Sequence, residues 1–345
     1  MHHLTRRGLG RTSLLSLGTL AALAACASAD SDDRAATSAA GASDAGGTEA
    51  EGTWPRTVTI GGAEVRLESA PQRIVAVSTE TGDLALELVG PERVVGVVEG
   101  AQDPSSANQS DLAQQVEHTV VGAPSPDPEQ VLALAPDLVL LTQRHGDEES
   151  VGESLTASGV PCAAFVSSDF DSPQSVIDVI TGLGELLGAE DAAARVTAAV
   201  QQQVDEVTTA VEAAQDAPRT LGLFARGPST MMFADSSSTS TLIELAGGTS
   251  IATEAGWRSA PAADPEVLID AAPEVILVQD FHGAGMGPFA SLLESPALAE
   301  VPAVAEGRVH LVDALTTSGT AGSRLGEGLR QIAAALHPDL VDEEA

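Results

Sequence analysis

The sequence contains neither lysine nor tyrosine; all 16 basic residues of the 345 are arginine. Without lysine, a Walker-A phosphate loop and lysine Schiff-base chemistry are excluded. Without tyrosine, no phenolate is available as a ligand for ferric iron. Positive charge is scarce altogether: 50 Asp and Glu bring the formal net charge to -34, which argues against nucleic acid as a partner and against anionic lipid surfaces. Aromatic residues make up 2%, so the core has to be built from Val, Leu, Ile and Ala. Enzyme signatures are missing as well: there is no Gly-x-Ser-x-Gly elbow, no His-Glu-x-x-His helix and no Cys-x-x-Cys pair. Gly182 to Gly188 only approximates a dinucleotide fingerprint, because its last Gly comes one residue late and no strand precedes it. An enzyme is not expected. What is present is a globular composition, 43% hydrophobic, with length for about two folding units.

The N-terminus reads as an export address. Arg6, Arg7 and Arg11 precede an uncharged Leu- and Ala-rich run from Thr12 to Ala25 that is too short for a permanent membrane span. The run ends in Leu23-Ala24-Ala25-Cys26, which resembles the bacterial lipobox, and this implies a signal peptide over 1–25 and lipidation of Cys26. The Arg6-Arg7 pair leaves Sec and twin-arginine export both open. With Cys26 acylated, Cys162 has no partner in the chain, so no intrachain disulfide is expected; its apolar surroundings read as a small buried hydrophobe. Residues 26–55 are rich in Ala, Ser, Thr, Gly, Asp and Glu and cannot support a core, the composition of a disordered acidic tether. The folded body is therefore expected outside the cytoplasm, lipid-anchored to the cell membrane.

Beyond the tether, near-continuous apolar runs alternate with helical stretches: Ile74 to Val77, Val94 to Val98, Leu138 to Leu141, Ala163 to Val166, Leu221 to Ala225, Val275 to Val278 and Val309 to Val312. Strands of this kind are covered on both faces, which predicts an α/β fold with mainly parallel sheets. Val196, Val200, Val204, Val207 and Val211 form one stripe of a long helix, and Pro218 precedes the next strand. The segment from Asp127-Pro128-Glu129 to Leu140 recurs from Asp264-Pro265-Glu266 to Leu277, with a Pro seven residues after each Glu. In both copies the Asp can cap a helix whose first turn holds the Glu. The reading is two Rossmann-like lobes, 56–185 and 218–340, joined by one long rigid helix within 186–217.

Pro71-Gln72-Arg73-Ile74-Val75, Arg93-Val94-Val95-Gly96-Val97, the paired Asp-Pro-Glu segments, Leu242 to Gly248, Glu306-Gly307-Arg308-Val309 and Leu336-His337-Pro338 occur in this order. In that order they resemble the solute-binding proteins of ABC importers for iron complexes and cobalamin. The resemblance implies a monomeric receptor that binds its cargo between the lobes and delivers it to a permease dimer driven by a cytoplasmic ATPase. It further implies that Glu129 and Glu266 dock onto the permease.

Ligands of open α/β sheets lie beyond the carboxyl ends of the strands. This rule, with the loop before the second Asp-Pro-Glu, selects Arg144, His145, Arg226, Trp257, Arg258, Gln279 and His282 as ligand-binding candidates. Three arginines would suit an anionic chelate by their fork geometry, and Trp257 would offer a flat apolar face. Phe224-Ala225-Arg226-Gly227 and Gly247-Gly248 look similar to the hemin-binding branch, whose iron-holding Tyr this chain lacks. A ferric siderophore brings its own oxygen ligands, so siderophore is favoured over heme as cargo, with no resident metal or cofactor. A cobalamin receptor and a free-metal receptor of similar architecture remain alternatives.

Overall fold

The computed structural model describes residues 53–143 and 146–342. Its strands are β1 (Arg56–Ile60), β2 (Ala63–Leu67), β3 (Ile74–Ala76), β4 (Val94–Val98), β5 (His118–Val120), β6 (Leu138–Thr142), β7 (Cys162–Phe165), β8 (Arg219–Arg226), β9 (Ser229–Met232), β10 (Thr249–Ser250), β11 (Val275–Asp280) and β12 (Val309–Asp313). One sheet has the order β5-β4-β3-β6-β7 and is parallel throughout. The other runs β10-β8-β11-β12 in parallel, with β9 added antiparallel to β8. In each sheet the strand order reverses beside the first strand, at β3 and at β8, which is where open α/β sheets leave a crevice at their carboxyl ends.

The apolar runs form these strands because both faces are covered. Ile74 through Val77, Leu138 through Leu141 and Val275 through Val278 are all buried. Sequence reading missed the hairpin β1–β2. Its strands alternate buried Val58, Ile60, Val65 and Leu67 with outward residues, the pattern of a strand covered on one face only. Gly61 and Gly62 make its two-residue turn, both at positive φ as such turns require.

The helix Glu190–Val211 follows the first sheet, and Ala193, Val200, Val207 and Val211 form its buried stripe. At 1.5 Å per residue it is roughly 33 Å long. The last helix, Leu325–Leu336, packs along it. Leu325, Leu329 and Ile332 thereby join the same core cluster as the first sheet. A separate cluster, with Leu221, Leu223, Ile276 and Val278, lies on the other face of the second sheet.

The repeat has a physical counterpart. Asp127 caps the helix Pro128–Ala133 by accepting from the Glu129 amide at 2.9 Å, and Asp264 caps Pro265–Ala271 by accepting from Glu266 at 2.8 Å. Each segment leaves its helix through an alanine at positive φ, Ala135 and Ala272, immediately before the proline. An arginine then closes each unit. Arg73 donates to the carbonyls of Leu134 and Ala135 while its own amide binds Asp137. Arg219 donates to the carbonyl of Ala271 while its amide binds Glu274. Both arginines thus satisfy carbonyls that the helix end leaves open.

Candidate functional site

The loops after the carboxyl ends of the two sheets meet. Ser105 and Ser106, in the loop after β4, place their hydroxyls 3.3 Å from Nδ1 of His282, which follows β11. Beside this contact lies a cavity of about 380 Å³ lined by Ser105 from the first half and by Asp280, His282, Asp313, Leu315 and Gln331 from the second. Asp280 and Asp313 are direct partners in the parallel register of β11 and β12, so their side chains leave the sheet on the same face. Asp280 Oδ1 accepts from the Gly285 amide and Asp313 Oδ1 from the Leu315 amide, each at 2.9 Å. Hydrogen bonds, first from the Ser105 amide and then from the Ser105 and Ser106 hydroxyls, hold the exposed carboxyl of Asp103 below the usual range.

The same loop continues into a buried junction. Asp83, on the helix Thr79–Val89, accepts from the amides of Asn108 and Gln109 at 2.8 and 2.9 Å. The Asn108 amide group donates to the carbonyls of Leu315 and Ala321, both at 3.1 Å, and its oxygen accepts from Arg324 at 2.8 Å. Arg324 also pairs with Glu327, and Ser323 donates to Glu87 at 2.7 Å. Burial pushes the Asp83 carboxyl up to about 6; the two amides pull against that, and Glu80 and Glu87 add to it. Burial raises Glu87 too, against the Ser323 bond.

Of the ligand candidates among the described residues, only His282 lines the cavity. Gln279 is buried with its amide nitrogen donating to Thr317 Oγ1 at 2.9 Å and Thr239 Oγ1 at 3.2 Å. Arg226 is exposed at the end of β8. Arg258 is 89% exposed and 3.5 Å from Asp235. Trp257 packs on the second core cluster and borders a different cavity of about 250 Å³ with Arg219, Glu254, Val267 and Asp270. The structure therefore does not gather Arg226, Trp257 and Arg258 around Asp280 and His282. Cys26, Arg144 and His145 lie outside the described residues. Glu129 and Glu266 are both exposed on their short helices. Cys162 is half-buried in β7 and burial pushes its thiol up.

Sequence reasoning missed Ser105, Asp313 and Asn108. Asp313 was findable as the last residue of an apolar run, whereas its partnership with Asp280 depends on strand register.

The sequence model of one family matches residues 74–315, well over half of the chain, and its description is periplasmic binding protein. The chain belongs to the periplasmic binding protein family. Its family is one of solute-binding proteins, not an enzyme class. The chain is similar to a cobalamin-binding protein of Halobacterium salinarum, 28% identical over 284 residues covering 79% of this chain and 71% of that one. It is also similar to the ferric enterobactin-binding periplasmic protein FepB of Escherichia coli, 25% identical over 276 residues, 74% of this chain and 83% of the relative. Among solved structures, the apo periplasmic heme-binding protein RhuT of Roseiflexus sp. superposes with a TM-score of 0.63 at 26% identity, covering 77% of this chain and 98% of that one.

Proposed function

We propose that this periplasmic binding protein is the extracytoplasmic capture subunit of an ABC importer for a metal–organic complex, a ferric siderophore in the first place and heme in the second. The observation that carries the reading is the cavity at the carboxyl end of the second sheet, where Asp280, His282 and Asp313 are met by Ser105 from a loop of the first sheet. Relatives named for cobalamin, ferric enterobactin and heme share one kind of cargo, a metal already wrapped in an organic ligand. Among the described residues, no three His, Cys, Asp or Glu side chains come together as a metal site, which suits a cargo that brings its own donors better than a free ion. The relative named for cobalamin supports a corrin cargo as the alternative to both.

In this reading residues 1–25 direct export, the Cys26 thiol carries lipid, 26–55 tether the body, and 56–185 and 218–340 act as lobes about the connecting helix. Glu129 and Glu266, held at matching positions by the repeated caps, contact the permease. The test is a titration of the mature chain with a ferric hydroxamate, hemin and cyanocobalamin, followed by the ligand's own absorption. Saturable one-to-one binding of any of them supports the reading; failure of all three sinks it. With the bound complex in hand, Glu129→Arg together with Glu266→Arg is expected to abolish uptake and leave affinity unchanged.

A further inference from the structure

We propose that the cleft selects its cargo by charge: it takes a neutral or cationic metal complex whose rim offers hydrogen-bond donors and disfavours a multiply anionic one. The inference rests on the cleft being the cargo site, as argued above, and adds the class of complex it accepts.

The cavity walls are rich in acceptors. Asp280 and Asp313 stand side by side on neighbouring strands, and each spends one oxygen on an amide of its own loop. The second oxygen of each has no protein hydrogen-bond donor among the described residues. Among the described residues, no arginine lines the cavity; Arg144 lies outside them. Arg324 feels the charge of Asp313, but its hydrogen bonds go to Glu327 and Asn108.

Carboxylates repel a polyanionic complex most strongly where water is displaced, and repulsion of this kind is how a site discriminates between shapes it could otherwise hold.

The experiment is an equilibrium titration of the mature chain, at fixed salt, with cationic ferrioxamine B, uncharged and amide-rich cyanocobalamin, and trianionic ferric enterobactin. Ferrioxamine B or cyanocobalamin is expected to bind at least about tenfold more tightly than ferric enterobactin. Asp280→Asn with Asp313→Asn should narrow that ratio several-fold, with thermal melting reporting whether the variant is folded. The wild-type ratio stands as a test even if it is not. Ferric enterobactin binding most tightly, or a ratio that the folded double variant leaves unchanged, overturns the charge inference while leaving the receptor reading intact. No binding of any probe removes both.

Discussion

Two ends of one loop join the halves of this protein in different ways. At Asn108 and Gln109 the backbone is tied to buried Asp83, and the Asn108 side chain reaches the Leu315 and Ala321 carbonyls and Arg324. Two residues earlier, Ser105 and Ser106 touch exposed His282 at 3.3 Å, where water competes for every group. Bonds of the first kind are expensive to break because Asp83 would be left buried without its two amide donors; those of the second contribute little net free energy. The difference teaches where motion is allowed. The expectation that follows is that any opening of the cavity begins at His282, with the Asn108 junction as the pivot.

The largest effect is expected from breaking the pivot. Asn108→Leu takes a donor from the Leu315 and Ala321 carbonyls and one acceptor from Arg324, which keeps Glu327, and urea unfolding should show a loss of about 2 kcal/mol. A loss below about 1 kcal/mol would mean that the junction does not hold the halves together.

A change of pH sharpens the same point. The folded carboxyl of Asp83 lies at about 6 against an ordinary 3.8, so the folded state holds this proton more tightly than the unfolded chain does. The resulting stabilisation is complete below about pH 4 and is lost as pH rises through about 6. Relative to Asp83→Asn, the wild-type protein should therefore lose roughly 2 kcal/mol of stability between pH 4 and pH 7. Parallel pH profiles for the two proteins would show that Asp83 is solvated and the pivot is open. The smallest effect belongs to the other end of the loop: Ser105→Ala with Ser106→Ala should change stability by less than about 0.5 kcal/mol, and a substantially larger loss would make His282 a structural contact.

Much of the scaffold was legible in the sequence because it depends on local pattern. The apolar runs at Ile74, Leu138 and Val275 became central or near-central parallel strands, and the valine stripe became the buried face of Glu190–Val211. Asp127 and Asp264 cap their helices as the repeat implied. The β1–β2 hairpin was equally local, and its alternation around Gly61-Gly62 was simply not used. The site was less legible. The strand-end rule reached His282, but it could not foresee that Gln279 turns to the opposite side from Asp280 or that Trp257 is drawn onto the second core cluster. Asn108 and Arg324 are 216 residues apart, and nothing in either local sequence announces the bond between them.

Amide hydrogen exchange of the ligand-free mature chain, resolved along this loop and its partners, tests the pivot-and-cleft account most directly. The account predicts fast exchange by local opening at 103–106 and 281–287, and exchange at 108–109 and 315–325 slowed by orders of magnitude and limited by larger unfolding. Slow exchange around His282 combined with fast exchange around Asn108 would contradict it, because the halves would then part where the structure ties them together.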